Sequence, residues 1–379
     1  MKFRGLKYIG AGLAGIIALS YAFGYDYLFS GISKTYLRGK VSADIDDQEL
    51  FPSHLVANGS AKPLQKSENY NKIKLSAALE KDLVDSKTAS FLVLKDGKLV
   101  HEQYWGKYTA STPTNSFSMA KAVTVMLLGK ALEDGKVKSL NEKYSDFYDN
   151  YANVEFGKNL TLKNLAEMEA GLKWNENYKN PFLPNAKAYY GKSLAETVFL
   201  RGFKEQPGTK FEYQSGATQL LGFALRKATN QPLASYLSRS FWIPLGMEKP
   251  AKWSVDENGM EKTFCCIHAI PRDFAKFGLL FLNNGKVGEQ QVLSSDFVKK
   301  MITPTQHSEG TYGMGIWVNN DNPIKHYYFL GLMGQFIIMI PEKNMVIVKT
   351  GSFSDNPKND RGRPDQAKFM VNETVKLFD

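Results

Sequence analysis

The chain has 379 residues, 43% hydrophobic and 13% aromatic, enough for one large domain or two smaller ones with a sizeable core. Its 48 basic and 38 acidic side chains give a net charge of +10, but the basic residues are dispersed, with no polybasic run or aromatic-basic repeat, which excludes a dedicated nucleic-acid binder. Cys/His ligand spacing and His-Glu-x-x-His are both missing from the sequence, so metal chemistry is not expected either, and the basic surplus reads as a solvated surface weakly attracted to anionic membranes.

At the N-terminus Lys2, Arg4 and Lys7 precede an apolar run from Tyr8 to Phe23, and Asp26 follows. Basic residues ahead of an apolar stretch predict an export signal kept as an anchor over residues 1–29, crossing a membrane through residues 8–25. The body would then face the periplasm from a bacterial inner membrane. Ser20-Tyr21-Ala22 offers a small-residue cleavage site that would release a secreted form instead. Gly10-Ala11-Gly12-Leu13-Ala14-Gly15 matches a dinucleotide fingerprint, but no strand precedes it and no acidic partner follows in a βαβ unit. Small residues in a membrane helix account for it better. Residues 30–74, with Asp44, Asp46, Asp47, Pro52 and Pro63, read as a polar tether leading to a folded domain over 75–379.

Two strand-like runs, Ala89 to Leu94 and Leu99 to Trp105, flank Asp96-Gly97 and predict a hairpin. Ser118-Met119-Ala120-Lys121 follows, the only Ser-x-x-Lys in the chain, at the head of an apolar segment reaching Leu132. On a helix, residues three apart share a face, so the Ser118 hydroxyl and Lys121 amine can meet. An apolar surround lowers a lysine pKa and leaves some neutral amine to take the serine proton. A helix N-terminus also presents N–H groups suited to a developing oxyanion.

From about 118 to 245 the pattern is helical, broken by Gly and Pro, with candidate helices at 162–168, 193–200, 216–228 and 233–242. Cys265-Cys266 cannot close a loop and reads as two small buried strand residues. Strands return over 312–318, then as a hairpin of 335–340 and 345–348 around Pro341 to Asn344, and a helix from Asp365 to Phe378 ends the chain. The order predicts an α+β sandwich, an antiparallel sheet flanked by helices with a helical subdomain inserted, preceded by the N-terminal membrane segment.

Further segments join the Ser118 motif in a fixed order: Gly171 to Glu176, Pro207 to Ala217, Pro244-Leu245-Gly246-Met247, Arg272 to Gly278, and Gly331-Leu332-Met333-Gly334-Gln335. Together they resemble the SxxK serine hydrolases, which include class C β-lactamases, D-alanyl-D-alanine peptidases and related esterases, and within them the 6-aminohexanoate-dimer-hydrolase-like branch. The resemblance spans roughly residues 80–350 and implies a β-lactamase/transpeptidase-like fold. It implies Ser118 as acylated nucleophile, Lys121 as its activator and Tyr213 as partner base, with the N–H groups of Ser118 and Gln335 as the oxyanion hole. A phenol beside a lysine ammonium has its proton loss eased and can relay a proton to the leaving group. Ser215 would bond substrate or Lys121, or else serve as the N-cap of the next helix. Trp174 would wall the pocket or anchor its loop. Leu332 and Gly334 would border the substrate, and Leu332 stands where β-lactamases carry a lysine and many relatives a histidine; it can neither hold a carboxylate nor move a proton. Lys349-Thr350-Gly351 spells the missing triplet but reads as following the strand 345–348, so it is set aside as a decoy. The expected activity is hydrolysis of a small amide or ester substrate through a Ser118 acyl-enzyme, without metal or diffusible cofactor. The alternatives are β-lactamase or D-alanyl-D-alanine carboxypeptidase activity, and a silent membrane-tethered sensor.

Overall fold

In the computed structural model, which describes residues 15, 17–353 and 365–379, the chain adopts an α+β fold in which helices flank a six-stranded antiparallel sheet. The N-terminal membrane segment is corrected: among the described residues no helix is long and apolar enough to cross a membrane. Residues 1–14 and 16, which hold half of the apolar run and all of the glycine fingerprint except Gly15, lie outside the described residues. The helical stretch over 17–22 stops at Gly24, whose φ of +69° is left-handed and breaks the helix before α1 (Tyr27–Lys34). Tyr27 is buried and its hydroxyl donates to the Pro181 carbonyl at 2.9 Å, so α1 docks on protein. The partner membrane through residues 8–25 and the inner-membrane, periplasm-facing location built on it therefore lose their support.

Residues 44–56 are tied to the body, with Ile45 and Val56 fully buried and β1 (Ser53–Val56) paired to a later strand. After α2 (Ala77–Asp85) comes the expected hairpin, β2 (Thr88–Lys95) and β3 (Lys98–Tyr104). Asp96 and Gly97 have φ of +50° and +76°, both left-handed as a two-residue hairpin turn of matching twist requires. Next come β4 (Thr114–Asn115), α3 (Met119–Glu133), short helices at Leu162–Ala166, Pro184–Tyr190 and Leu194–Val198, and α4 (Ser215–Thr229). The chain then forms β5 (Ala251–Ser254), β6 (Ile267–Ala269), α5 (Pro271–Leu282), β7 (Trp317–Asn319), β8 (His326–Gly331), β9 (Gln335–Ile340), β10 (Met345–Gly351) and α6 (Asp365–Phe378).

The main sheet runs β3-β2-β10-β9-β8-β7, and a smaller one runs β1-β5-β6-β4. Gly278 lets α5 lie close on the main sheet, because a Cβ there would come within 2.5 Å of Val346. The predicted strand at 312–318 shrinks to Trp317–Asn319: Gly315 turns left-handed at φ +77° where a Cβ would meet Val125. The Lys349 triplet does not follow its strand but completes it, since β10 extends through Gly351.

The small sheet sets the position of the nucleophile. Ser116 N–H donates to the Ile267 carbonyl at 2.8 Å, and Ile267 N–H donates to Ser116 Oγ at 3.0 Å. Gly331, at the end of β8, packs against the Ser116 carbonyl so closely that a Cβ would lie 2.3 Å from it. Both sheets thus converge on Ser116, two residues before Ser118.

Candidate active site

Ser118 occupies the N-cap of α3 with φ −67° and ψ −4°, but its hydroxyl makes no capping bond, so Oγ stays available to the side chain one turn on. Phe117, just before it, holds φ +41°, a left-handed conformation uncommon for a bulky residue; its N–H is fixed on Asn115 Oδ1 at 2.9 Å. Lys121 Nζ donates to Ser118 Oγ at 2.9 Å and to the Phe264 carbonyl at 3.0 Å. Twelve of the fifteen residues of α3 are buried, Lys121 among them at 1% exposure, so the amine has little access to water. That burial pushes its pKa down to about 8, with the Glu176 carboxylate opposing the fall. The lysine's carbonyl partner is held in turn: Thr124 Oγ1 donates to the Thr263 carbonyl at 2.9 Å, pinning the 263–264 segment to α3.

Tyr213 arrives from the segment entering α4. Lys121 Nζ lies 4.9 Å from the centre of its ring, which packs 5.5 Å from Trp317 and 6.0 Å from Tyr312. Burial raises the Tyr213 pKa well above that of a free phenol; hydrogen bonding with Ser118 lowers it and the Glu176 carboxylate adds to the rise. The expectation that the lysine would ease proton loss is therefore outweighed by desolvation. The raised pKa makes this phenol a weaker acid than in water, and its phenolate a stronger base.

The hub that sequence reasoning passed over is Glu176. Its carboxylate accepts Trp174 Nε1 at 2.8 Å, Ser215 N–H at 2.8 Å, Ser215 Oγ at 2.5 Å and the Tyr178 hydroxyl. Ser215 is the first residue of α4, with Gln214 as the cap, and its hydroxyl is turned to Glu176, not to Lys121. Trp174 is 4% exposed, donates also to Asn185 Oδ1 at 3.0 Å, and packs on Gly216, where a Cβ would come within 2.5 Å of its ring. The indole acts as the loop's anchor. A Glu two residues after a Trp carries little signal in one dimension, because the Ser215 it holds lies 39 positions away.

In the third segment Leu332, Met333 and Gly334 turn the chain between β8 and β9, with Met333 at φ +63° and Gly334 at φ +77°. Leu332 packs partly buried against the core. The fully buried Gln335 side chain bonds the Leu332 carbonyl at 2.9 Å, the Gly351 carbonyl at 2.7 Å and the Gly351 N–H at 3.1 Å. Arg272 and Asp273 serve the frame: Arg272 Nε donates to Glu102 at 2.9 Å, and Asp273 accepts the N–H groups of Glu248 and Lys249 at 2.6 and 3.1 Å.

Cys265 and Cys266, expected as separate buried strand residues, are instead joined to each other by a disulfide, with Cys266 in the left-handed region at φ +73° just ahead of β6. Among the described residues no group of three or more His, Cys, Asp or Glu side chains could hold a metal ion.

The family model described as Beta-lactamase matches residues 77–369. The 6-aminohexanoate-dimer hydrolase of Paenarthrobacter ureafaciens is 22% identical over 301 residues, covering 73% of this chain and 76% of that protein. An Escherichia coli protein described as "Putative D-alanyl-D-alanine carboxypeptidase" is 25% identical over 347 residues, covering 72% and 79%. Among solved structures, a "Putative 6-aminohexanoate-dimer hydrolase from Bacillus anthracis" superimposes with a TM-score of 0.76 at 24% identity, over 90% of this chain and 93% of that one.

Proposed function

We propose, from the premise that this chain belongs to the Beta-lactamase family, that it hydrolyses an amide or ester bond of a small substrate through an acyl-enzyme on Ser118. The serine-hydrolase fold is consistent with that chemistry. The observation that carries the reading is the 2.9 Å contact between Lys121 Nζ and Ser118 Oγ, made by an amine buried enough to be partly neutral near pH 7.

In this mechanism Lys121 takes the Ser118 proton as Oγ attacks the carbonyl carbon. The N–H groups of Ser118 and Gln335 receive the developing oxyanion. Tyr213, protonated and packed beside the lysine, passes a proton to the departing nitrogen or oxygen, and is restored when water attacks the ester in the second half-reaction. Glu176 fixes Ser215 and Tyr178 around this group, and Leu332 and Gly334 border the acyl portion. The hydrolase domain runs from 75 to 379, its helical subdomain of about 118–245 closing over the sheet.

A second reading is favoured by the family's description and by the carboxypeptidase relative: hydrolysis of a β-lactam or of a D-alanyl-D-alanine peptide. Comparison alone weighs toward it. The two readings part at Leu332, which supplies no charge for a substrate carboxylate.

The test is mass spectrometry of the protein after a fluorophosphonate and, separately, a penicillin, with Ser118→Ala as control. A single adduct on Ser118 with the first reagent is expected; a stable penicilloyl adduct, or conversion of the penicillin to its hydrolysed acid, would select the second reading, and no adduct or turnover with either would overturn both.

A further inference from the structure

Lys349 opens the triplet that the sequence set aside, and no step above uses it. It is fully buried, and Nζ donates to the Gly334 carbonyl at 3.2 Å. Lys349 stands opposite Phe336 in the β9–β10 ladder, one position out of phase with Ile337 and Val346, which face Gly278 of α5. It therefore lies on the other face of the sheet, where the Asp82 carboxylate of α2 acts on it.

The carbonyl it holds and the Gln335 N–H belong to one peptide unit, and that unit is trans. In a trans peptide the C=O and N–H point in opposite directions. A cationic donor on the oxygen does two things to the far end. It fixes the plane, so the N–H has one direction, and it polarises the amide, so the N–H is a stronger donor. The Gln335 side chain, bonded to Leu332 and to both backbone groups of Gly351, clamps the same turn from its other side.

We propose that Lys349 is a positioning residue for the oxyanion hole, holding the Gly334–Gln335 peptide from behind so that its N–H meets the developing negative charge. This rests on the reading of Gln335 N–H as an oxyanion donor. It assigns the triplet's lysine a task unlike that of a substrate-facing lysine, since Lys349 contacts the back of the site and touches no substrate.

The experiment compares the full chain with Lys349→Met and Lys349→Gln, using a p-nitrophenyl ester labelled with ¹³C at its acyl carbon. Acylation rate and KM are measured together with the infrared stretch of the acyl-enzyme carbonyl and the melting temperature. Lys349→Met removes a buried ammonium and leaves Asp82 without that charge partner, so the melting temperature is expected to fall, and it is read beside the kinetics to separate loss of fold from loss of rate. Acylation of the folded variant should fall about tenfold at unchanged KM, part of the roughly 100-fold lost when an oxyanion donor is removed outright. The ester carbonyl stretch should move to higher frequency, and Lys349→Gln, which keeps an N–H donor, should recover part of the rate. Wild-type acylation and an unshifted carbonyl in Lys349→Met would overturn the inference while leaving the Ser118 mechanism intact. If Lys349→Met does not fold, the same two readouts on Lys349→Gln decide: a slower rate at unchanged KM supports the role, and a wild-type rate refutes it. No acylation of the wild type would remove the underlying reading itself.

Discussion

Titrating Lys121 probes the mechanism most directly. Burial brings its pKa to about 8 from an ordinary 10.5. At pH 7 roughly a tenth of the amine is then neutral, against about one part in 3,000 for an unperturbed lysine, a gain on the order of 300-fold in competent base. The difference corresponds to roughly 3 kcal/mol of selection against the ammonium. If neutral Lys121 accepts the Ser118 proton, kcat/KM for a p-nitrophenyl ester should rise about tenfold per pH unit from acid pH and level off near pH 8. The Glu176 carboxylate holds that pKa up. Glu176→Gln should accordingly shift the limb to lower pH, speeding the reaction at pH 6 relative to its own plateau. The assay is steady-state hydrolysis across the pH range, corrected for spontaneous ester loss. A flat profile, a limb near 10.5, or an upward shift in Glu176→Gln would refute the assignment of Lys121 as the base.

Tyr213→Phe removes the hydroxyl while leaving the ring packed on Trp317; if that hydroxyl relays the proton, kcat should fall about 100-fold or more, and a fall of less than about threefold would take Tyr213 out of the chemistry. Leu332→Lys should lower KM about tenfold for substrates bearing a free carboxylate, the worth of one charge-assisted hydrogen bond, and leave that of their methyl esters unchanged; equal effects on both would show that position 332 does not meet the carboxylate. Lys262 is buried with Nζ 3.9 Å from the Phe51 ring centre, and burial lowers its pKa to about 7. Its folded pKa is depressed, so the unfolded chain binds more protons between about 7 and 10.5, and the destabilisation is complete below pH 7 and fades as pH rises. Lys262→Met should thus raise the melting temperature, by the equivalent of about 1–3 kcal/mol at pH 6 and by less at pH 9; a gain that grows with pH would contradict the sign. Gly216→Ala drives a methyl into the Trp174 ring and should cost about 1–3 kcal/mol in urea unfolding, with no cost meaning that Trp174 can give way.

Much of the site was legible because helix periodicity is local. Ser118 and Lys121 meet through a three-residue spacing that any helix would honour, and the apolar residues after them already imply a poorly solvated amine. The hairpin at Asp96-Gly97 and the closing helix at Asp365 were readable for the same reason: turn chemistry and periodicity act within a few residues. The N-terminal run misled because apolar composition does not reveal helix length: among the described residues no helix is long and apolar enough to cross a membrane, and α1 after it is tied to Pro181 through Tyr27.

The sequence by itself determined the α+β class, the pairing of Ser118 with Lys121, and the family, since each depends on short-range spacing or on the order of segments along the chain. Tertiary structure decided the partners. Glu176 gathers Trp174, Tyr178 and Ser215, burial raises the Tyr213 pKa, the Phe264 carbonyl takes the second bond of Lys121, and Lys349 reaches Gly334 across a strand pair. Those contacts join residues up to 143 positions apart. Desolvation and strand register, which set their strength and direction, do not exist until the two sheets and the helical subdomain close on one another.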